Sequence, residues 1–230
     1  RLAAVSAATR DFHVGRGLDP DRVTVCYNGV DVEHFQPRPA TGALKQELGL
    51  APETQLCLTI GQIGLRKGQD VLANAGRLLA QQGDRHTHFL LVGERHSQKQ
   101  ESIDFDQALD AAFEQPGLQG RLHRLGYREE INFLMNEADL LVHPAKQEPL
   151  GRVLLEAIAS GLPIVATEVG GTQEIVTHDV SALLVPPGNA ELLADAMDRV
   201  LNDPGLSQSL AQSARLQSLE LFTSEQAGER

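Results

Sequence analysis

The sequence predicts an α/β protein built on a doubly wound, Rossmann-like parallel sheet with helices on both faces. From Gln55 onward, short aliphatic segments alternate with helical stretches. Strands that are apolar along their whole length are typical of a sheet covered on both faces. Strands are expected at 55–60, 87–92, 121–125, 140–143, 163–167 and 182–185, and helices at 68–82, 105–115, 129–138, 151–160, 172–176, 190–202 and 205–222.

The first forty residues are predicted to hold one helix and one strand before an irregular connection. Residues 6–17 have helical spacing, with Ser6 or Thr9 as the N-cap. A strand is expected at 22–27, and the Asn-Gly-Val-Asp tetrapeptide that follows predicts a turn, since asparagine and glycine both tolerate positive φ. Two prolines indicate a linker over residues 35–42.

Composition restricts the class of protein. The 230 residues are 41% hydrophobic, which is enough for a sizeable core, and carry a net charge of −11. This charge argues against nucleic acid or an anionic membrane surface as a partner, so Arg121, Arg124 and Arg128 are interpreted as a solvated edge. Cys26 and Cys57 lie in apolar segments and indicate buried thiols in a reducing, cytoplasmic setting. The chain does not begin with methionine, and we expect it to be a fragment.

Candidate functional segments all follow predicted strands. They are the glycine-bearing loop 61–68, the pair Gly93-Glu94, and the segments 143–151 and 167–171. Ligands of doubly wound proteins bind beyond the carboxyl ends of the parallel strands. We therefore expect these segments to form a single ligand site at one edge of the sheet.

The stretch from His143 to Val176 carries two glutamates, Glu148 and Glu156, eight positions apart. Counted along a helix, eight positions give roughly 80° of rotation and about 12 Å of rise, so the carboxylates would point to similar faces. The amides of Leu150 and Gly151 lie between them at a predicted helix N-terminus, where unpaired N–H groups and the helix dipole favour a phosphate. The order carboxylate, anion site, carboxylate suits a sugar–diphosphate–ribose molecule.

Two glycine-bearing segments offer further phosphate contacts. The loop Gly61-Gln62-Ile63-Gly64-Leu65-Arg66-Lys67-Gly68 joins a strand to a helix. Its glycines let backbone approach a phosphate, and a cation at the helix entry neutralises a departing diphosphate. A tight strand–helix turn with a surface cation explains the same residues. The pair Gly170-Gly171, with Thr172 as the predicted helix cap, is open to the same two interpretations, anion binding or turn chemistry.

Together these elements resemble the donor-site motifs of retaining glycosyltransferases of the GT-B fold, glycosyltransferase family 4 or group 1. The family's Glu-x7-Glu is matched by Glu148 and Glu156. Its small–Gly–x–Pro–(Val/Ile)–Val element is matched by residues 160–165, and its Gly-Gly-x-x-Glu by residues 170–174. The family also carries an Asn-Gly-Val-Asp tetrapeptide, at the passage between its two domains.

The resemblance implies a role for each matched residue. Lys67 would hold the donor diphosphate, with Arg66 in place of the family arginine that is Gln62 here. Glu148 would meet the donor sugar near the transferred carbon, and Glu156 would accept hydrogen bonds from the ribose hydroxyls. Further donor contacts are expected from Gly61, Gln62, Gly64, Gly93, Leu150, Gly151, Gly170, Gly171 and Thr172.

The resemblance also implies how the protein is organised. Residues 1–40 would be the interdomain passage, residues 41–222 the donor-binding domain, and residues 223–230 the start of a truncated return segment. The whole enzyme is expected to be a hexosyltransferase that moves a sugar from a UDP-, GDP- or ADP-sugar to an acceptor hydroxyl with retention, without a cofactor or metal. The acceptor domain would precede this chain, so the fragment alone is expected to be inactive.

Other assignments fit the sequence less well. A double-displacement glycosidase is disfavoured, because its two carboxylates must stand about 5–5.5 Å apart. The rise of about 12 Å between Glu148 and Glu156 along a helix is too large. His86 and His88 have no third metal ligand nearby, which argues against a metal site. The acidic string Asp104-Phe105-Asp106 is explained by the favourable charge of aspartates at a helix start. The chain has no Gly-x-Gly-x-x-Gly motif, which argues against a dinucleotide site. A non-catalytic nucleotide-sugar binding module, favoured by Gln62, and a GT-B-like sugar-nucleotide epimerase stay open as alternatives.

Overall fold

A computed structural model describes residues 1–84 and 86–229 of the chain. The strands are β1 Leu2–Ala4, β2 Val23–Val25, β3 Gln55–Ile60, β4 Thr87–Val92, β5 Leu122–Gly126, β6 Leu140–His143, β7 Ile164–Thr167 and β8 Leu183–Val185. The helices are α1 Ala7–Val14, α2 Ala43–Glu47, α3 Gln69–Gln81, α4 Gln100–Phe113, α5 Ile131–Glu137, α6 Arg152–Ser160, α7 Thr172–Ile175, α8 Ala190–Asn202, α9 Pro204–Leu221 and α10 Ser224–Glu229. None of the described helices is both long and apolar enough to cross a membrane.

Within these described ranges the main sheet has six parallel strands in the order β5-β4-β3-β6-β7-β8. Successive residues of each strand alternate between hydrophobic clusters on the two faces. In β3, for example, Leu56 and Leu58 belong to the cluster packed under α5 and α6, whereas Cys57 belongs to the cluster packed under α3 and α8. The predicted doubly wound, Rossmann-like sheet is confirmed, because both faces of nearly every strand are buried.

The strand order reverses between β3 and β6. From β3 the chain builds the sheet outward through β4 to β5, and from β6 it builds in the opposite direction through β7 to β8. The loops that leave β3 and β6 therefore diverge from adjacent strands and open a crevice at their carboxyl ends, which is where doubly wound proteins bind ligands. These loops are residues 61–68 and 144–151.

Helix α4 begins earlier than predicted, and this changes the environment of two aspartates. It starts at Gln100 and not at residue 105, so Asp104 and Asp106 lie inside the helix. The explanation of these aspartates by charge at a helix start is therefore wrong. Asp106 instead forms ion pairs with Arg95 at 3.2 Å and with Arg124 at 2.9 Å.

The interpretation of the basic cluster as a solvated edge is wrong for one of its members. Arg121 is buried, and its guanidinium lies 3.0 Å from the Asp84 carboxylate. Arg124 and the partly buried Arg128 also form ion pairs with acidic side chains. Ion pairing within the fold thus accounts for this cluster.

The Asn28-Gly29 turn does not have the positive φ angles that the sequence predicts. Neither residue has a positive φ. The backbone passes straight on to Val30, which pairs with Thr223 near the end of the chain. A Cβ on Gly29 would lie 2.7 Å from the Ser224 Cα atom, so glycine here permits close contact between two chain segments.

The amino-terminal segment forms a small unit that packs on the main domain. Strands β1 and β2 pair in parallel on either side of α1 in the sequence. Of the two predicted N-caps of α1, Ser6 and Thr9, the structure shows Ser6. Its hydroxyl oxygen accepts a 3.0 Å hydrogen bond from the Thr9 amide. The Glu174 carboxylate accepts from the amides of Ala7 and Ala8, which fixes the start of α1 on α7.

Gly68 allows the two loops of the crevice to come into close backbone contact. Gly68 has φ 69°, and a Cβ there would lie 1.9 Å from the Pro144 carbonyl oxygen.

Gly49 is a matched control for a substitution at Gly68, since it has φ 68° but no heavy atom of the described residues within 4 Å of the added Cβ. Gly49→Ala should cost only the left-handed strain of about 1–2 kcal/mol. Gly68→Ala should lower the free energy of unfolding by more, as measured by urea denaturation, and equal losses would contradict this packing argument.

Candidate active site

A cavity of about 350 Å³ opens beside the carboxyl ends of β3 and β6. It is called the Glu156 cavity here, and it is lined by Val5, Asn28, Ile60, Gly61, Lys67, Glu156 and the segment 148–153. Of the residues predicted for the site, it brings together Gly61, Lys67, Glu148, Leu150, Gly151 and Glu156. The strand reversal places this cavity where the sheet topology predicts a ligand.

Glu148 is buried and holds two basic partners on one carboxylate oxygen. Its Oε2 atom lies 2.7 Å from Lys67 Nζ and 2.9 Å from His143 Nε2. Burial by itself raises the pKa of Glu148, but the hydrogen bonds and charges of His143 and Lys67 outweigh it and lower the pKa to about 2. Glu148 is therefore ionised at every physiological pH, and its second oxygen is left for other contacts.

Glu156 lies in a different electrostatic environment. It is the fifth residue of α6, its side chain is 18% exposed, and its cationic neighbour is the exposed Arg152 at 3.8 Å. Burial raises the pKa of Glu156, and Arg152 opposes this rise only in part. A carboxylate that is poorly neutralised in the free protein is suited to accept hydrogen bonds from a ligand.

The spacing of the two glutamates along a single helix is not observed. Glu148 precedes α6 and lies in the loop after β6, so the estimate of roughly 80° and about 12 Å over eight helical positions does not apply. Both residues nevertheless line the Glu156 cavity, because the loop turns at Gly151 into the helix.

The N-terminus of α6 lies between these carboxylates. Gly151 is the N-cap, with φ 98°, and no side chain within the described ranges caps the helix. The first amide groups of α6 and the positive end of its dipole therefore face the Glu156 cavity, to which Gly151, Arg152 and Val153 contribute. This arrangement is suited to an anion.

A neighbouring cavity of about 630 Å³ lies on the other side of Glu148 and is called the Arg66 cavity. It is lined by Ala8, Thr9, Phe12, His13, Arg16, Arg66, Lys146, Gln147, Glu148, Pro149, Val169 and Gly170. Arg66 and Lys67 are adjacent in sequence but line different cavities, because residues Leu65–Lys67 form a 3₁₀ turn in which successive side chains diverge. Glu148 and Pro149 belong to both cavities.

The glycine pair after β7 contacts the loop that carries Glu148. A Cβ on Gly170, which has φ 52°, would lie 1.9 Å from the Glu148 carbonyl oxygen. The Gly171 amide donates to that same oxygen at 3.1 Å. Thr172 is not the helix cap that the sequence predicts, since Gly171 occupies the N-cap position and Thr172 is the buried first residue of α7.

The remaining predicted site residues lie close to these cavities without lining them. Gln62 is exposed, and its carbonyl oxygen accepts from the Gln69 side chain at 3.1 Å. The Gly64 amide donates to the Oε1 atom of the Gln69 side chain at 3.4 Å. Gly93 directly follows β4 and lies against the Gly61 carbonyl oxygen, which an added Cβ would approach to 2.3 Å. These contacts fix the shape of the loop after β3.

Sequence reasoning missed the part of His143 in this site. The sequence pattern places His143 at the end of a buried strand and predicts no role for it in the site. Its position at the carboxyl end of β6, five residues before Glu148, was the available signal. Ser6 was also recognised only as a cap, although its hydroxyl donates to the Pro149 carbonyl oxygen at 2.5 Å and ties α1 to the same loop.

No group of three or more His, Cys, Asp or Glu side chains with the geometry of a metal site occurs in the part of the chain that the structure describes. His88 instead stacks on His123, with Nδ1 of the first 2.9 Å from Nε2 of the second.

Comparison with known proteins identifies the family. Residues 41–217 match the family described as Glycosyl transferases group 1. The D-inositol 3-phosphate glycosyltransferase of Jonesia denitrificans is 31% identical over 230 residues, covering 93% of this chain and 51% of that protein. The lipopolysaccharide glucosyltransferase WaaG of Escherichia coli K12 is 29% identical over 209 residues, covering 89% of this chain and 54% of that protein. Anabaena Alr3699/HepE in complex with UDP and glucose superposes with a TM-score of 0.90 at 29% identity, over 99% of this chain and 60% of that one.

The Rossmann-like sheet with a cavity at its strand reversal thus has the fold of glycosyltransferases. The chain belongs to the group 1 glycosyl transferases. It spans about half the length of the curated relatives it matches.

The paired state of Glu148 should appear in the pH dependence of stability. Its pKa falls from 4.5 to about 2 on folding, which corresponds to about 3 kcal/mol. A carboxyl group whose pKa is lowered on folding stabilises the fold at pH values above its unfolded pKa. This stabilisation is lost as the pH falls through the folded pKa. Glu148→Gln should therefore lower the free energy of unfolding by about 2–3 kcal/mol at pH 7, with the difference shrinking between pH 4.5 and about 2. Urea denaturation of both proteins at several pH values checks this, and a pH-independent difference would contradict it.

Proposed function

We propose that the chain is the donor-binding, carboxyl-terminal half of a retaining glycosyltransferase of family 4, which moves a hexose from a nucleotide-sugar to an acceptor hydroxyl. The observation that carries this proposal is the Glu156 cavity. It aligns the partly buried acceptor Glu156, the open N-terminus of α6, and the Lys67–Glu148 pair. A ribose, a diphosphate and a sugar can each be matched to one of these three groups in this order.

The donor is proposed to lie along the cavity with its ribose hydroxyls on Glu156. The diphosphate then meets the first amides of α6 near Leu150 and Gly151, with Lys67 as its cation. The sugar lies next to Glu148, which stands between the two cavities. The Anabaena neighbour is described with UDP and glucose, which supports a uridine nucleotide and a hexose as the first ligands to try.

The reaction needs the bond between the sugar and the diphosphate to break, so charge builds up on the departing diphosphate. Lys67 and the α6 N-terminus are fixed before the reaction and can stabilise that charge, which is the type of preorganised contribution that supplies several kcal/mol in enzymes. The contacts with Lys67 and His143 keep Glu148 ionised, so it is poorly suited to act as a general acid. This favours transfer from an activated donor over glycosidase chemistry.

Turnover is proposed to need the rest of the protein. The curated relatives are about twice as long as this chain, and binding of an acceptor in a closed cleft is expected to use residues from both halves. We therefore expect the chain alone to bind a nucleotide but not to transfer sugar efficiently.

Donor binding and its cation can be tested together by calorimetry. The wild-type chain is titrated with UDP, GDP, ADP and the corresponding nucleosides in EDTA, since donor binding is proposed to need no divalent metal. Lys67→Ala should weaken binding of the preferred diphosphate about tenfold or more and leave its nucleoside nearly unchanged, because the lost charge faces phosphate. Lys99→Ala, which removes an exposed lysine elsewhere, is the control. Wild-type protein that binds none of the nucleotides would overturn the proposed function, and equal losses for diphosphate and nucleoside would overturn the role of Lys67.

Glu156→Gln should separate stability from binding. A carboxyl whose pKa is raised on folding stabilises below its unfolded pKa and loses this effect as pH rises through the folded value. At pH 7 the substitution removes a poorly neutralised and only partly solvated charge, so the free protein should be equally or more stable by urea denaturation. Nucleotide affinity should nevertheless fall about tenfold, because a charged acceptor of the ribose hydroxyls is lost. Unchanged nucleotide affinity would rule out the ribose contact.

A further inference from the structure

A cavity of about 650 Å³, called the Arg215 cavity, lies away from the candidate active site. Its lining includes Pro37, Gly161, Pro163, Ala211, Arg215 and Leu216. Gly161 is the C-cap of α6 and Pro163 directly precedes β7, so this cavity lies at the amino ends of the strands. The Glu156 cavity lies at the carboxyl ends, where α6 begins. The two cavities therefore lie at opposite ends of one helix and have none of their described lining residues in common.

The walls of the Arg215 cavity are mostly uncharged. Three of the lining residues are prolines, and α9 contributes Ala211 and Leu216, the second of which is 61% exposed. Arg215 is the one charged residue among the described residues that line the cavity. Small-molecule sites are typically concave, roughly 300–1,000 Å³ in volume, and apolar apart from a few polar groups that orient the ligand. The Arg215 cavity has these properties.

The Arg215 side chain joins α9 to the end of α6 and to the segment before α2. Its Nη1 atom donates to the carbonyl oxygens of Ala159 at 2.6 Å and Phe35 at 3.3 Å, and its Nη2 atom donates to that of Val32 at 3.3 Å. No described residue accepts a hydrogen bond from Nε. Nη2 has a second N–H group, so the Nε and Nη2 edge of the guanidinium keeps two donors. This edge can bind a carboxylate through two parallel hydrogen bonds.

The positive charge of Arg215 has no acidic partner among the side chains that the structure describes. The carbonyl oxygen of Ala159 belongs to the negative end of the α6 dipole, but it carries only a partial charge. Partial burial lowers the pKa of Arg215 from its ordinary value, because the guanidinium loses hydration and gains no carboxylate. Charges that lose hydration in proteins are normally paired. An anion that enters the cavity would supply the missing partner.

We propose that the Arg215 cavity is a second binding site, which takes a small molecule with a carboxylate group on an apolar body. The carboxylate pairs with the Nε and Nη2 atoms of Arg215, and the apolar body packs against the prolines and Leu216. A single guanidinium edge matches a singly charged carboxylate better than a phosphate, whose second charge would lie unpaired among uncharged walls. The ligand does not enter the Glu156 cavity, so this inference does not depend on the proposed function.

The test uses the 230-residue chain and three matched probes. 4-Phenylbutanoate has both groups, 4-phenylbutanol lacks the charge, and acetate lacks the apolar body. Binding is followed by the NMR shifts of the Arg215 Nε–H group and of the Ala211 and Leu216 amides. 4-Phenylbutanoate should bind at least about tenfold more tightly than either of the other probes. Saturation with UDP should change this affinity by no more than about twofold, because the Glu156 cavity is elsewhere.

Two variants test the charged and the apolar part of the site separately. Arg215→Gln should weaken 4-phenylbutanoate at least about tenfold and leave 4-phenylbutanol within about twofold, because only the charge and the open guanidinium edge are lost. Ala211→Leu fills the cavity from α9 and should weaken both phenyl probes about fivefold or more. Arg22→Gln, at an exposed arginine outside the cavity, should change none of these affinities. Urea denaturation checks that each variant is folded, and Ala211→Leu carries the test if Arg215→Gln does not fold.

Three results would overturn this inference. Equal affinity for 4-phenylbutanoate and 4-phenylbutanol would show an apolar surface that does not recognise charge. Displacement of 4-phenylbutanoate by UDP would place the probe in the Glu156 cavity. No binding of 4-phenylbutanoate, or binding that neither Arg215→Gln nor Ala211→Leu weakens, would show that the Arg215 cavity is not the site. Each of these results leaves the proposed function standing, since that function is tested by nucleotide binding to the wild-type chain.

Discussion

The ion pair of Glu148 with Lys67 and its hydrogen bond with His143 join the separate parts of the candidate site. His143 ends β6, Lys67 comes from the loop after β3, and Glu148 comes from the loop after β6. A buried carboxylate without such partners would be costly and would take up a proton or move to solvent. The pairing therefore fixes the two loops against each other at the strand reversal. It also places one charged group at the boundary between the Glu156 cavity and the Arg66 cavity.

Close backbone contacts at two glycines bring together the loops that carry Glu148 and its partners. Gly68 leaves room for the Pro144 carbonyl, and Gly170 leaves room for the carbonyl of Glu148 itself. A side chain at either position would push apart the loops that the ion pairs hold together. The glycines of this site thus have a packing role whether or not a phosphate also contacts them, and the two explanations are compatible.

The two glutamates show how one short stretch of chain can produce opposite electrostatic behaviour. Glu148 lies between Lys67 and His143, and its pKa is lowered to about 2, whereas burial raises the pKa of Glu156. Differences of this kind between neighbouring carboxyl groups are how proteins assign them different tasks. Here Glu148 carries a permanent negative charge, whereas Glu156 is a weakly neutralised hydrogen-bond acceptor, and these two environments agree with the different roles proposed for the two residues.

The sequence by itself determined the fold and the edge of the sheet where the site lies. All six strands of the main sheet were predicted to within one residue at each end, because short, mostly aliphatic segments alternating with helical ones favour a covered parallel sheet. The motif spacing also led to Glu148, Glu156 and Lys67, which the structure brings into one cavity. The short elements β1, α2 and α10 were not predicted, since three to six residues are too few to show a period.

Only the tertiary structure decided which side chains meet. It turned Arg66 away from Lys67, paired His143 with Glu148, buried Arg121 beside Asp84 and set Gly29 against the end of the chain. Each of these contacts depends on the direction of a side chain or on a segment distant in sequence. Periodicity along the chain records which face of an element is buried, but it carries no information about which distant residue lies opposite.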